Sequence, residues 1–347
     1  LLARVLQGIA RESYCLVGAV GHDFYEGERE GSKGFPRFAN AALRKPSTFA
    51  GYLRAATEKS LARCSVGRFD LLLLHNPDAT SYTSDAVWKG MEKLKDAGLT
   101  DQLRIAPGPA NGFTLDLILA LERFQGLLDW AMIILNPLEP WPGSLCLPPA
   151  ERTGVKVLTR VVDYGGLSHD DVKPDHEFAA RDHRTFRPSG WVETGLEKIE
   201  QMRPIAEAHG LTMLQLACAW NLQQAAVETV VPTLIQVPGS SAKPIEQKIE
   251  ELATLPKITF TSEELTCIAE IGDNANCMSL KGANAGYVRE ALPDRWPLNE
   301  ELEPVARRCK IDPGSDVAQC CPFGGNNSLG KDLNLRFPED STAGWRI

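Results

Sequence analysis

A chain of 347 residues with a net charge of −8 and 43% hydrophobic residues suits one large α/β domain, or a domain with a substantial extension. The acidic balance argues against a nucleic-acid or anionic-membrane partner, no stretch approaches the roughly 18 apolar residues of a membrane span, and no signal peptide opens the chain. The nine cysteines are an odd number without Cys-x-x-Cys spacing, which is typical of reduced thiols and predicts a cytoplasmic protein.

The first part of the chain alternates helical and strand patterns. Residues 1–8 resemble the end of an amphipathic helix and lack an initial methionine, which is typical of an incomplete N-terminus. Residues 14–20 predict a strand, and the Gly-rich, charged residues 21–44 predict a loop beyond its carboxyl end. Residues 47–64 predict a helix with Ser47 as its N-cap.

The most informative stretch is residues 68–78, where four consecutive leucines precede His75 and Asn76-Pro77. The run is too short for a membrane span and predicts a strand over residues 69–75 that is buried on both faces, as in a parallel sheet. Because α/β barrels carry their chemistry at the carboxyl ends of strands, His75 is the first catalytic candidate. The alternative is a core histidine whose hydrogen bonds are satisfied.

Strands and helices continue to alternate as far as residue 255. Further helices are predicted at residues 83–97, 113–124, 193–209, 212–223 and 244–255, and further strands at residues 103–106, 131–135, 155–162 and 227–237. Such alternation predicts a parallel sheet. No Gly-x-Gly-x-x-Gly opens a helix, which disfavours a Rossmann domain. A (β/α)8 TIM-type barrel without its first two strands fits best, and an open doubly wound sheet is the competing architecture.

Residues 257–347 break this pattern. A capping box that starts at Thr261 predicts one more helix, and the rest is rich in Gly, Asn, Pro and charge. We expect a C-terminal extension that lies over the barrel of residues 1–256, with an irregular last part. The late cysteines are expected to be incidental to any site: Cys309, Cys320 and Cys321.

The stretch around His75 resembles the strand-4 signature of the aldo-keto reductases, in which an aspartate and a hydrophobic run precede His-x-Pro. The resemblance covers roughly residues 1–255. It implies a barrel represented here by strands 3 to 8, with NADP(H) as cofactor and a small carbonyl, alcohol or sugar as substrate. For His75 it implies that the side chain orients or polarises the substrate carbonyl.

The resemblance also implies cofactor contacts after strands 5, 6 and 7. Asn111 matches the asparagine of the family's Ser-Asn-Phe, which holds the nicotinamide carboxamide, although Ala110 replaces the serine. Asn136 stands in an Asn-Pro-Leu like that after strand 6. Gly166 matches the glycine of the strand-7 motif, where Val162-Asp163 replace Pro-Leu.

The family's Ile-Pro-Gly after strand 8 aligns either with Val230-Val231-Pro232 or with Val237-Pro238-Gly239. The second alignment implies that the loop after the last strand holds the cofactor phosphates. Its residues are Gly239, Ser240, Ser241 and Lys243. Backbone N–H groups and a lysine there suit the 2′-phosphate and pyrophosphate of NADP. A plain turn is the alternative interpretation.

The proton-donating machinery departs from the family pattern. There a tyrosine supplies the proton, and a lysine and an aspartate lower its pKa. The lysine position here is Ala19, and the aspartate and tyrosine would precede Leu1. The loop beyond this strand offers His22 or Tyr25 as replacement acid or base, with Asp23 orienting His22; a solvated loop is the alternative.

A second cluster of polar residues lies in the predicted loop at 168–192. Histidines and carboxylates between residues 169 and 183 are side-chain types that bind divalent metals. Their spacing fits no compact ligand motif, so we expect no metal site.

Three functions are therefore compatible with the sequence. The first is an oxidoreductase of aldo-keto reductase type. The second is a diverged barrel that acts as a binding or assembly subunit, since open sheet edges invite a protein partner or a second copy. The third is a non-redox lyase or isomerase that uses His22, His75 and the 169–183 loop. Fold analogy alone does not decide among them.

Overall fold

Six parallel strands in sequential order form the sheet of this protein. The computed structural model describes residues 2–29, 34–108, 113–179, 182–237, 242–274 and 298–313. The strands are β1 (Val17–Val20), β2 (Phe69–His75), β3 (Thr100–Ala106), β4 (Trp130–Ile134), β5 (Lys156–Arg160) and β6 (Val227–Val231). The helices are α1 (Leu2–Val5), α2 (Phe49–Cys64), α3 (Asp85–Asp96), α4 (Thr114–Arg123), α5 (Leu147–Thr153), α6 (Trp191–Ala208), α7 (Met213–Leu222), α8 (Ile245–Ala253), α9 (Ser262–Gly272) and α10 (Leu302–Cys309).

The order of the strands distinguishes between the two predicted architectures. A doubly wound sheet reverses its strand order at a switch point, whereas here each strand pairs with the next one along the chain. Helices separate the successive strands, as in a (β/α) barrel. The described strands form an open arc in which β1 and β6 are the two edges. The predicted α/β barrel fold is confirmed in this form.

Side chains of β2 show how the sheet separates its two faces. Leu72 and Leu74 are fully buried and share the main core with the helix residues Leu53 and Trp88. Because side chains alternate along a strand, Leu71, Leu73 and His75 point to the opposite face, which is the inside of the arc. His75 is the last residue of β2 and therefore stands at the mouth of the barrel.

Several element boundaries differ from the predicted ones for local reasons. Pro46 opens a 3-10 turn that contains Ser47, so α2 begins at Phe49 and Ser47 is not its N-cap. The strand predicted from residue 14 begins at Val17, because the N–H of Leu16 donates to the Asp70 carboxylate at 2.5 Å instead of joining the ladder. The last strand ends just before Pro232, which has no N–H to donate.

Two helices of the region 257–347 lie among the described residues. The predicted capping box is present between Thr261 and Glu264 and opens α9, which packs against α6. The other helix, α10, packs against α4. Cys309 lies 3.8 Å from the guanidinium of Arg152, while Cys320 and Cys321 lie outside the described residues. Within the described part of the chain, no helix is both long and apolar enough to cross a membrane.

Candidate active site

The carboxyl ends of β1, β2 and β3 meet at one edge of the sheet, where two glycines allow the backbone to pack closely. A Cβ added to Gly21 would lie 2.1 Å from the carbonyl oxygen of His75. A Cβ added to Gly108 would lie 2.2 Å from the side-chain oxygen of Asn76. No larger residue fits at Gly21 without a shift of the backbone, and none fits at Gly108 without a shift of the Asn76 side chain. These glycines therefore fix the surroundings of His75.

The loop after β1 folds back on itself and carries two polar side chains to this edge. His22 and Arg37 form an antiparallel bridge. On either side of it, the N–H of Asp23 donates to Pro36 and the N–H of Phe38 donates to Gly21. The Nε of Arg37 also donates to the carbonyl of Asn76 at 2.5 Å. This ribbon, residues 21–29 and 34–38, therefore fixes His22 and Arg37 beside the end of β2.

His22 and His75 face each other at the mouth, with 6.0 Å between their ring centroids. The Nδ1 of His22 lies 2.8 Å from the carbonyl oxygen of Phe35, which can only accept a hydrogen bond. Nδ1 must therefore carry a hydrogen, and Nε2 is the acceptor in the neutral ring. The structure thus brings together two of the side chains that the sequence offers as catalytic candidates.

The protonation state of His75 follows from its surroundings. Burial, reinforced by the positive charges of His22, Arg160 and Arg37, lowers the pKa of His75 to about 4. The ring is therefore neutral at pH 7 and can donate one hydrogen bond. It cannot act there as a charged proton donor.

Sequence reasoning gave no role to Arg160, although a local signal was present. Arg160 ends β5 and points into the arc like His75. Burial lowers the pKa of Arg160 to about 10, so the side chain stays charged at pH 7. Within the described residues its guanidinium forms no hydrogen bond or ion pair. A charged residue at the carboxyl end of a predicted strand was the signal that could have identified it.

Asp23 does not orient His22, contrary to the prediction. Its carboxylate accepts the N–H groups of Tyr25 and Glu26 at 3.0 and 2.9 Å and pairs with Arg44 at 2.6 Å. Burial alone would raise the pKa of Asp23, but these donors outweigh it and the pKa is lowered. Asp23 therefore holds the loop in shape.

Tyr25 is directed to the outer helix α2 and not to His75. Its hydroxyl accepts a hydrogen bond from Arg63 at 2.6 Å. The ammonium of Lys59 lies 4.1 Å from the centre of its ring. Both partners belong to α2, so the structure does not place this hydroxyl where a replacement acid would be needed.

Asn136 is buried and uses its amide inside the protein. Its Nδ2 donates to the carbonyl of Val161 at 3.1 Å, and its Oδ1 accepts from the N–H of Leu138 at 3.1 Å. The side chain thus ties the end of β4 to the end of β5. A cofactor amide would have to replace one of these hydrogen bonds.

The other expected cofactor residues fall into two groups. Gly166 has a φ of 101°, and an added Cβ would lie 3.2 Å from the guanidinium of Arg184, which covers it. Lys243 pairs with Glu251 at 2.9 Å. Four further residues lie outside the described part of the chain: Asn111, Gly239, Ser240 and Ser241.

The polar loop after β5 uses most of its carboxylates in ion pairs. Asp171 pairs with Lys248, Asp170 with Arg203 and Asp182 with Arg184. His169 is fully buried, 4.0 Å from Asp163. Among the residues that the structure describes, no three His, Cys, Asp or Glu side chains converge as metal ligands would.

Comparison with known sequences agrees with this geometry. The sequence profile of the Aldo/keto reductase family matches residues 40–273. A protein of Arabidopsis thaliana described as a probable voltage-gated potassium channel subunit beta is 23% identical over 218 residues, which are 58% of this chain and 62% of that protein. The chain therefore spans less than two thirds of the length of this relative.

Solved structures share the architecture. A glycerol dehydrogenase from Gluconobacter oxydans superposes with a TM-score of 0.59 at 20% identity, over 78% of this chain and 75% of that chain. An aldo-keto reductase from Bacillus halodurans in its holo form gives a TM-score of 0.54 at 21% identity, over 78% and 77% of the two chains. At such identities the likeness shows the fold alone, and it confirms the predicted barrel type.

Proposed function

Because the chain belongs to the aldo/keto reductase family, we propose that it is an oxidoreductase that uses NADP(H) to interconvert a small carbonyl compound and its alcohol. The mouth suits an anionic cofactor, since Arg37 carries positive charge there. The cofactor would supply the hydride, and the protein would supply position and polarity. A cytoplasmic location, a barrel unit at residues 1–256 and an extension at 257–347 are parts of the same proposal.

His75 would orient the substrate as a neutral hydrogen-bond donor. A carbonyl oxygen that becomes an alkoxide needs a donor within hydrogen-bond reach. A histidine with a pKa of about 4 keeps its N–H without carrying charge at pH 7. Such a group polarises the carbonyl and does not deliver the proton itself.

His22 would deliver that proton in place of the family's tyrosine and lysine. The observation that carries the proposal is the 6.0 Å distance between the rings of His22 and His75 at one mouth. The Nδ1 of His22 is held by Phe35 at 2.8 Å, which directs Nε2 away from that carbonyl. A protonated Nε2 could transfer its hydrogen to the alkoxide.

A titration of the purified chain with NADPH and NADH, followed by tryptophan fluorescence, tests the proposal. We expect saturable binding of NADPH in the micromolar range and tighter binding than for NADH. Absence of binding of either dinucleotide up to millimolar concentration would overturn it.

A binding or assembly subunit is the second candidate. Ala19 at the lysine position and the contact of Tyr25 with Arg63 favour a barrel that has lost turnover. The Arabidopsis relative, described as a channel subunit, is consistent with that role. Binding of NADPH without hydride transfer to any aldehyde or ketone in a broad panel would favour this candidate.

A further inference from the structure

Arg160 lies on the inner face of the arc, at the carboxyl end of β5. Its ladder partners are Ile134 on β4 and Val231 on β6. Val157 belongs to the main core on the outer face, so residues 158 and 160 alternate to the inside. Its guanidinium therefore faces the same space as the imidazole of His75.

The charge of Arg160 has no partner within the described chain, unlike the charges of Arg44 and Arg184. Arg44 pairs with Asp23 at 2.6 Å, and Arg184 pairs with Asp182 at 2.6 Å. Arg160 forms neither a hydrogen bond nor an ion pair there. Holding a half-buried charge without a counter-ion costs free energy, and a bound anion would recover that cost.

The second cation of the mouth is already engaged. Arg37 uses Nε for the carbonyl of Asn76 at 2.5 Å, and its Nη1 lies 3.4 Å from Nδ1 of His22. Arg37 thus adds positive charge while its Nε holds the ribbon to the end of β2. The planar guanidinium of Arg160 is the group available for two parallel hydrogen bonds to a carboxylate.

We infer that the substrate carries a carboxylate group as well as its carbonyl, and that Arg160 binds this carboxylate while His75 receives the carbonyl oxygen. This inference rests on the proposed oxidoreductase function. It makes Arg160 a specificity-determining residue and makes short oxo-acids and aromatic carboxy-aldehydes the substrate class.

The first experiment compares acids with neutral analogues as NADPH-dependent substrates. Suitable pairs are succinic semialdehyde with butanal, and 4-carboxybenzaldehyde with its methyl ester. We expect kcat/KM to be at least about tenfold higher for each acid. Arg160→Met should raise KM for the acids by about 100-fold and change kcat/KM for the neutral compounds by less than about threefold. Equal rates for acids and neutral analogues in the wild type would overturn the inference.

A matched control makes the same chemical change elsewhere inside the arc. Arg104 on β3 is buried, and its Nε and Nη1 also lack partners, but it lies below the mouth, level with Trp130 at the start of β4. Arg104→Met should leave the preference for acids unchanged. Loss of the preference in this variant would show that Arg160 is not its source.

Binding measurements separate the inference from the function on which it rests. We expect succinate, but not succinamide, to bind the protein with NADPH, and Arg160→Met to abolish that binding while the Kd of NADPH stays within about twofold. Weaker NADPH binding in Arg160→Met, with both substrate types equally affected, would assign Arg160 to the cofactor and overturn the inference. No NADPH binding in the wild type would overturn the proposed function, whereas no succinate binding with NADPH bound would overturn only the inference.

Discussion

Lys248 and Asp171 form an ion pair of 2.6 Å in which both side chains are buried. Lys248 also donates to the carbonyl of Ile235 at 2.9 Å. Nearby, the carboxylate of Asp163 accepts the N–H of Thr233 at 2.9 Å. The chain that leaves β6 is thus attached to the loop after β5 at two points.

Lys248→Met should destabilise the protein by about 3–5 kcal/mol, because it leaves Asp171 charged and buried without a partner. The double variant with Asp171→Leu should recover most of that loss. Urea unfolding measures both. Arg54→Met is the control, because it breaks only an exposed pair with Glu58 and should cost less than about 1 kcal/mol. A single variant as stable as the wild type would contradict the expectation.

His75→Ala should lower kcat/KM for aldehyde reduction by about 10²- to 10⁴-fold, the range for loss of a positioned donor. NADPH binding should be retained, since the proposed role concerns the carbonyl and not the cofactor. Stopped-flow turnover and fluorescence titration measure the two quantities. His176→Ala, which removes a ring packed on Phe178 in the polar loop, should leave turnover unchanged. Equal activity of the His75 variant and the wild type would show that the chemistry lies elsewhere.

Stability should fall as the pH drops from about 6.5 to about 4, in part because of His75. In that window the unfolded chain protonates this histidine, while the folded chain keeps it neutral with a pKa of about 4. Protonation therefore favours the unfolded state, by up to about 3 kcal/mol at the acidic end. His75→Gln does not titrate, so its stability should depend less on pH across this window. Urea unfolding at a series of pH values measures this dependence. If the free energy of unfolding of both proteins changes equally with pH, His75 is not the group responsible.

Gly21→Ala should destabilise the protein by about 1–3 kcal/mol and lower activity. The added methyl group would lie 2.1 Å from the carbonyl of His75, so the backbone at the mouth has to move. Gly51→Ala in α2 is the matched control, because nothing lies within 4 Å of its Cβ position. That change should stabilise the helix by about 0.5–1 kcal/mol. Thermal unfolding should show a lower melting temperature for Gly21→Ala and a higher one for Gly51→Ala.

Arg104→Met should be neutral or stabilise the protein by up to about 4 kcal/mol, because a buried charge without a partner is replaced by an apolar side chain of similar length. Burial already lowers the pKa of Arg104 to about 10. Urea unfolding at pH 7 measures the change. A clear loss of stability would indicate that the arginine has a counter-ion outside the described residues.

Structural features that a few consecutive residues encode could be predicted from the sequence, whereas contacts between distant residues could not. The strand over residues 69–75 was predicted correctly at both ends, because a leucine run with a following Asn76-Pro77 encodes it within a few residues. The residues next to Arg160 likewise place it near the carboxyl end of a strand. By contrast, the contact of His22 with Arg37 joins residues 15 positions apart through a folded loop, which no periodicity encodes.

The misplaced side chains have the same physical origin. Tyr25 was assigned to the mouth from its distance along the chain, but the turn closed by Asp23 directs it to Arg63 on α2. Asn136 was assigned to a cofactor, but its amide satisfies backbone groups of two strand ends. In each case tertiary contacts decided which way a correctly located residue points.

The ribbon, residues 21–29 and 34–38, supplies His22 and Arg37, whereas the sheet supplies His75 and Arg160. The proposed reaction machinery is therefore divided between a loop segment and the sheet. Substitutions of His22 and Arg37 can change the proposed acid and the local charge without touching the core, in which Phe38 of the same ribbon is buried. Exchange of this one segment between related barrels would be a direct route to new chemistry on an unchanged frame.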